Sequence, residues 1–246
     1  MIHVYVSAVV TIRDFYGGRA LSGAGLQVTL DGHGFRPEHR VNGVMLFLNM
    51  TRGTHSLEVR GIHYLDEGLS LEVPENGFNN YFLSMRPARN YPFVGKPCEL
   101  IFSLGNEHGP AEGVRVHVAV PRGDEIKLVS DIEEGAARAR VYRRGNEAGF
   151  PGEYLIADGK DSEICSLVGV ESETACFAKP LINAHKRGKA LTPCAAYTTD
   201  TKGAFTAFFK EQGLLNVFAG EMNYFGVKQL QPGINIYAAE VSGQGN

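Results

Sequence analysis

GRALSGAGLQV at residues 18–28, NGVMLF at residues 42–47 and GTHSLEV at residues 53–59 are the segments that decide the fold of this 246-residue chain. Each segment joins a glycine-containing turn to a short apolar run, and in the third Leu57 and Val59 alternate with polar neighbours. Alternation with a period of two places apolar side chains on one face of a β-strand. The turns recur about every eight to twelve residues, which is typical of a β-sandwich.

The composition agrees with a globular all-β protein. Hydrophobic residues make up 43% and charged residues 21% of the chain, which excludes disordered and collagen-like proteins. Thirty glycines and no tryptophan favour many tight turns over a helical bundle. A first strand is predicted near the N-terminus, where one face carries the following residues: Val4, Val6, Ala8, Val10 and Ile12.

The three quoted segments together resemble the carboxypeptidase-regulatory-like family, which has a transthyretin-like (prealbumin-like) fold. Ala20 stands where that family usually has proline, Asn42 where it has aspartate, and His55 where it has tyrosine. The resemblance covers residues 1–87 and implies a Greek-key β-sandwich. It also implies a module without catalytic residues of its own.

The same pattern restarts later in the chain. Residues 88–95, with Pro92, are predicted to be an extended linker, and residues 96–246 to be a second sandwich module. This second module contains a predicted insertion at about residues 122–192, with strands at 139–142, 153–157, 164–170 and 174–177. An insertion of this length predicts a small β-subdomain or a docking arm.

Sequence motifs for common chemistries are absent. The chain has no phosphate loop, GxGxxG, GxSxG or HExxH pattern. We therefore predict a non-enzymatic protein with no catalytic, cofactor-binding or metal-binding residues and no cofactor. The four cysteines, in a chain without a recognisable export signal, are predicted to be buried, reduced thiols.

Three groups of residues keep alternative functions open. Asp158, Asp161 and Glu163 supply enough carboxylate oxygens for a weak calcium site, although a solvated turn is the other interpretation. Convergence of His3 and His55 with an arginine would favour a transthyretin-like hydrolase. Three tyrosines could stack on a sugar ring in a carbohydrate-binding module: Tyr64, Tyr81 and Tyr91. Half-exposed side chains, mostly on predicted strands, are expected for six histidines: His3, His39, His55, His63, His108 and His117.

The charge balance argues against nucleic acid as a partner. The net charge is -3, and the most basic stretch follows the acidic residues Asp131, Glu133 and Glu134. That basic stretch is predicted to be a solvated strand and turn, and it contains four arginines: Arg138, Arg140, Arg143 and Arg144. No apolar run reaches the length of a membrane span, so we predict no membrane insertion and synthesis in the cytoplasm.

These observations predict a structural or adaptor protein with partners in a multi-subunit assembly or in a homo-oligomer. Exposed strand edges and the insertion would supply the binding surfaces. The paired modules also resemble proteins of phage-tail-like and contractile-injection machinery, which implies incorporation into such a particle. Carbohydrate binding and a transthyretin-like hydrolase remain the alternatives.

Overall fold

The computed structural model describes residues 4–119, 125–144, 151–219 and 223–240. Its regular structure is nearly all strand, which confirms the predicted all-β class. Two short 3₁₀ helices, Val41–Gly43 and Gly159–Asp161, complete it within these ranges. No helix in this part of the chain is long and apolar enough to cross a membrane.

The chain divides into two compact units, Met1–Gly95 and Lys96–Asn246. Residues 88–95, which the sequence predicts to be a linker, belong to the first unit, where Tyr91 is buried. The segment is therefore packed rather than freely extended, because its aromatic side chains bury apolar area that a solvated linker would expose.

The first unit consists of two four-stranded sheets. One sheet has the order β4-β5-β1-β8 and the other β3-β2-β6-β7. The bounds of these strands are as follows: β1 Val6–Asp14, β2 Leu26–Leu30, β3 His33–Gly34, β4 Glu38–His39, β5 Val44–Leu48, β6 Gly53–Gly61, β7 Glu67–Val73 and β8 Asn79–Met85. Strand β1 is antiparallel to β5 and parallel to β8.

The core of the first unit contains the inward side chains of both sheets. Ile12 and Phe47 come from one sheet, Leu57 and Leu71 from the other, and all four are fully buried. The predicted alternation in β1 holds from Ala8 onward.

The prediction for Val4 is wrong, because Val4 is exposed. It precedes the start of β1 at Val6, and a register shift between Val6 and Ala8 breaks the alternation at that end of the strand.

The second unit repeats the strand relationships of the first. Its strands are β9 Cys98–Asn106, β10 Gly109–Pro110, β11 Arg115–Ala119, β12 Glu125–Leu128, β13 Arg138–Arg144, β14 Gly152–Ile156, β15 Glu163–Glu171, β16 Thr174–Phe177, β17 Ala190–Thr198, β18 Ala204–Phe209, β19 Gly213–Ala219, β20 Asn223–Leu230 and β21 Gly233–Glu240. Strand β9 pairs antiparallel with β18 and parallel with β21, as β1 does with β5 and β8. Strands β11, β19 and β20 are consecutive neighbours, as β2, β6 and β7 are.

The segment predicted as an insertion forms most of a closed β-barrel. Six strands close in the order β12-β13-β16-β15-β14-β17, and β17 pairs back with β12 through Ile126 and Leu191. Closure leaves no free edge among these strands. Strand β17 also pairs with β11, so it belongs both to the barrel and to the sheet of β11, β19 and β20.

The barrel has its own apolar core, built from the inward residues of its strands. It includes Ile126, Val141, Ile156, Leu167 and Phe177, all of which are buried. The predicted strands of this segment correspond closely to β13, β14, β15 and β16, whereas β12 was not predicted. The barrel's outward positions are consequently free to carry polar and charged side chains.

Candidate functional site

His55, one of the two histidines that the sequence offers for a hydrolase site, forms an ion pair near the start of β6. His55 donates from Nδ1 to Asp31 Oδ2 at 2.7 Å and from Nε2 to the carbonyl oxygen of Thr51 at 2.9 Å. These two hydrogen bonds raise the pKa of His55, and the one with Asp31 has the larger effect. His3, its proposed partner, lies outside the described residues. Both nitrogens of His55 are thus engaged in holding local structure.

Two of the three candidate calcium ligands surround a histidine. His185, whose side chain is fully buried, lies 2.7 Å from Glu163 Oε1 through Nε2 and 3.2 Å from Asp158 Oδ2 through Nδ1. Lys189 Nζ contacts the other oxygen of Asp158 at 2.5 Å. The Asp161 side chain is not part of this cluster in the contacts that the structure describes. Cationic side chains therefore occupy the position next to these carboxylates where a cation would bind.

The buried carboxylate of Glu163 also fixes the connection between β16 and β17. It accepts hydrogen bonds from the backbone N–H groups of Ile182 at 2.8 Å and Asn183 at 2.9 Å. Among the described residues, no group of three or more His, Cys, Asp or Glu side chains is arranged to hold a metal ion. The geometry of this cluster is that of a structural ion network.

A second histidine cluster lies on the sheet that contains β11. His117 and Arg115 both contact Glu153 Oε2, at 3.2 and 2.9 Å. The hydrogen bond with His117 is the main cause that lowers the pKa of Glu153 to about 2. The expectation of a half-exposed histidine is wrong for His117, which is 7% exposed, because β11 is an interior strand between β17 and β19.

The tyrosines proposed as sugar platforms are engaged in the first unit. Tyr91 is only 8% exposed, and its hydroxyl donates to Asp14 Oδ2 at 2.5 Å. Tyr64 packs against Tyr91 edge to face, with ring centroids 5.6 Å apart. The Tyr81 hydroxyl donates to the carbonyl oxygen of Glu72 at 2.9 Å. The expectation of an open ring face is therefore wrong for Tyr91, because its ring is packed in the unit.

An exposed apolar surface lies on β21, at the edge of its sheet. Ile234 and Ile236 are 67% and 70% exposed, and Ala238 is exposed on the same face of the strand. Ile236 lies opposite Ile101 of β9, whose outward side chain is half-buried. We call Ile101, Ile234, Ile236 and Ala238 the β21 surface.

The second edge of β21 has no paired strand in the described ranges. The strand pairs with β9 on one side only. The side chains on the opposite face of β21 form hydrogen bonds within the unit. Asn235 Nδ2 donates to the carbonyl oxygen of Glu99 at 3.2 Å, and the Tyr237 hydroxyl donates to the carbonyl oxygen of Gln229 at 2.5 Å. Sequence reasoning missed this surface, because an alternating strand gives no sign of which face is covered. Two outward isoleucines therefore lie next to a backbone edge that is unpaired within the described ranges, and such edges and apolar patches are typical of protein interaction sites.

Comparisons with known proteins leave the family of this chain open. No family model matches it. No curated protein matches it either. Similar solved structures include a streptococcal ancillary pilin, at 8% identity and a TM-score of 0.28, over 97% of this chain and 62% of that chain.

Two further solved structures match over most of their length. A shaft pilin from Lactobacillus rhamnosus GG is 9% identical with a TM-score of 0.29, over 97% of this chain and 98% of that chain. A DUF3823 family protein from Parabacteroides merdae is 13% identical with a TM-score of 0.24, over 91% of this chain and 97% of that chain. Structural similarity at these TM-scores does not indicate the function of this chain.

Proposed function

We propose that this chain is a non-enzymatic structural adaptor that binds other protein chains through its β-sheet surfaces within a larger assembly. The observation that carries the proposal is the β21 surface, where Ile234 and Ile236 are exposed beside a strand edge that no described strand pairs with. A partner strand added to this edge would pair with free backbone groups and cover both isoleucines. Burying one isoleucine side chain contributes about 1.5 to 3 kcal/mol.

The ionisable clusters support a role without catalysis. His55, His185 and Glu153 each contact an oppositely charged or hydrogen-bonding neighbour within their own unit. Burial raises the pKa of Cys98, Cys165 and Cys194, which disfavours the reactive thiolate form. These groups stabilise the sheets, and the proposal assigns none of them a chemical step.

The kind of assembly is proposed from the sequence resemblance and from the repeated strand pairing. The sequence resemblance favours two tandem prealbumin-like modules in a phage-tail-like or contractile-injection particle that assembles in the cytoplasm. The recurrence of the β1, β5 and β8 pairing in β9, β18 and β21 supports a tandem origin for the two units. Homo-oligomers of the chain are also compatible with an isologous contact at β21.

The test compares two variants of the full tagged chain in its own host. Ile236→Lys places a charge in the β21 surface, whereas Ile62→Lys makes the same change at a turn residue of the first unit that is 78% exposed. Each protein is recovered at modest salt, and its native mass and co-purified proteins are measured. We expect a defined large complex for the wild type and for Ile62→Lys, and its loss for Ile236→Lys.

Circular dichroism and thermal unfolding of both variants show whether each retains the wild-type fold. Recovery of the wild type as a lone small species, without stoichiometric protein partners, overturns the proposed function. A complex that persists with folded Ile236→Lys would remove the β21 surface from the proposal.

A further inference from the structure

Strand β13 carries a row of basic side chains on the outside of the barrel. Arg138, Arg140, Tyr142 and Arg144 are at alternate positions and all are exposed, whereas Ala139 and Val141 between them point into the barrel core. Alternate residues of a strand project from the same face about 6.8 Å apart, so the row spans about 20 Å. We call these four outward residues the arginine stripe.

Several exposed arginines form ion pairs, whereas no ion pair is described for Arg138, Arg140 or Arg144 among the residues that the structure describes. Arg40, Arg52 and Arg60 of the first unit each form an ion pair, with Glu38, Glu75 and Asp66.

Among the side chains that the structure describes, no carboxylate forms an ion pair with Arg138 or Arg140, while Arg144 lies opposite Glu125 of β12. The guanidinium groups of Arg138 and Arg140 keep their hydrogen-bond donors available, and guanidinium pairs with carboxylates in a planar, two-bond geometry.

The surroundings make the positive surface narrow. Thr174 and Cys176 of β16 lie opposite Arg140 and Arg138, and neither residue is basic. Beyond Thr174, exposed carboxylates are carried by Glu171, the last residue of β15, and by Glu173 in the turn that follows. On the other side, Lys127 and Glu125 of β12 lie opposite Tyr142 and Arg144, and they add one basic and one acidic residue. The positive charge is consequently confined to little more than the width of one strand.

From this arrangement we propose that the arginine stripe binds an extended acidic segment of a protein partner. Carboxylates at alternate residues of an extended peptide repeat at about the same 6.8 Å as the outward side chains of β13. Such a segment can pair its carboxylates with Arg138, Arg140 and Arg144, while the exposed ring of Tyr142 packs against an apolar part of it. The inference rests on the proposed function, for which it names one class of partner.

A nucleic acid fits this surface less well. The chain as a whole carries a net charge of -3, which gives no long-range attraction for a phosphate backbone. A duplex would also bring phosphates toward Glu171 and Glu173. A single extended acidic peptide follows one strand and avoids the second of these penalties.

The test measures peptide binding by fluorescence anisotropy at low ionic strength, with the full chain. The probe is a labelled ten-residue peptide that alternates glutamate with threonine, and its control has glutamine in place of every glutamate. The triple variant Arg138→Gln, Arg140→Gln, Arg144→Gln is compared with a matched triple variant: Arg40→Gln, Arg52→Gln, Arg60→Gln. Both variants remove three exposed charges, so they change the net charge equally.

We expect the stripe variant to bind the glutamate peptide about tenfold more weakly than the wild type, and the matched variant within about twofold of it. Affinity for the wild type should also fall with added salt, and the glutamine peptide should not bind. The inference is overturned if the wild type and the stripe variant bind the glutamate peptide with equal affinity. It is also overturned if neither protein binds the peptide.

Two further measurements separate the other occupants. The first measures binding of a ten-nucleotide single strand of thymidylate. If the wild type binds this strand more tightly than the glutamate peptide, and the stripe variant does not bind it, the stripe is a nucleic-acid surface and the inference is overturned. Self-association of the wild type in sedimentation, lost in the stripe variant, would make a second copy the occupant and overturn the partner proposed here. Co-purification from the host, as described for the β21 surface, is measured separately for the stripe variant. If the host complex survives in this variant and peptide binding shows no difference from the wild type, the acidic-partner inference fails while the proposed function is retained.

Discussion

Gly43 of the first unit and Gly203 of the second hold the same place in their respective units. Their φ angles are +73° and +68°, and an added Cβ would meet the carbonyl oxygen of Ile12 in one unit and that of Leu104 in the other. Each glycine directly precedes the strand that pairs antiparallel with the first strand of its unit, β5 or β18. The two units thus use the same tight turn, in which left-handed backbone and close packing both require glycine.

Substitution of Gly203 by alanine should therefore unfold the second unit at lower denaturant concentration. An alanine Cβ would lie 2.3 Å from the Leu104 carbonyl oxygen and 2.8 Å from the Ala111 backbone nitrogen, besides requiring a left-handed conformation. We expect a loss of at least about 3 kcal/mol in the free energy of unfolding, measured with urea. Gly113→Ala is the control, since Gly113 has a φ of +72° and open space around it. Its expected loss is about 1 kcal/mol, and equal losses in the two variants would contradict the packing argument.

Removal of the Tyr91 hydroxyl should destabilise the first unit. The hydroxyl donates to the buried carboxylate of Asp14, which also accepts the backbone N–H of Tyr16 at 2.9 Å. Burial and the hydrogen bond with Asp14 raise the pKa of Tyr91, so the phenol stays protonated as a donor at neutral pH. Tyr91→Phe should cost about 2 kcal/mol in urea unfolding, because it takes a donor from a buried charge.

Tyr5→Phe is the matched control for that experiment. The Tyr5 hydroxyl donates to the carbonyl oxygen of Met50 at 2.8 Å, but its ring is more than half exposed. Its expected cost is about 0.5 kcal/mol or less, since water replaces the lost partner. A Tyr91→Phe protein as stable as Tyr5→Phe would show that the contact with Asp14 contributes nothing.

The stability of the second unit should fall as the pH rises above neutrality. Burial alone would lower the pKa of His185, but the hydrogen bonds and charges of Glu163 and Asp158 outweigh it and raise the pKa above the ordinary 6.5. A histidine whose pKa is higher in the folded state stabilises that state fully below its unfolded pKa. This contribution is lost as the pH rises through the folded value. His185→Gln should cost about 3 kcal/mol near pH 6, and the difference from wild type should shrink as the pH rises through the raised pKa of His185.

Thermal unfolding across that pH range measures the effect. His108→Gln is the control, because His108 is exposed on a turn and its variant should keep the pH dependence of the wild type. A pH profile of His185→Gln that runs parallel to the wild-type profile would argue against a protonated His185 in the folded barrel.

The thiols should differ in reactivity according to their place in the barrel wall. Cys165 points into the barrel core, where burial raises the pKa of its thiol to about 12. Cys176 lies opposite Arg138 and is only half-buried. In native protein near pH 8, Ellman's reagent should label Cys176 in the fast phase and Cys165 only after denaturant is added. The fast phase should vanish in Cys176→Ser and persist in Cys165→Ser; persistence in Cys176→Ser would mean that another thiol is the accessible one.

The sequence by itself determined the all-β class, the turns and most strand positions. These features are local, because a period-two pattern and a turn residue act within a few residues of the chain. The Asn42-Gly43 pair and the alternation of Leu57 and Val59 predict a turn and a strand that the structure contains. The strands predicted in the insertion likewise correspond to β13, β14, β15 and β16.

Only the tertiary structure decided which strands meet and which faces remain uncovered. The barrel closes by pairing Ile126 with Leu191, and no local pattern specifies a contact at that separation in sequence. Glu163 and Asp158 form an ion network instead of a solvated turn because closure brings His185 between them. Alternation in the sequence also does not determine whether the second face of a strand is buried. Only the packing of the strands shows that Ile236 on β21 and Arg140 on β13 are exposed.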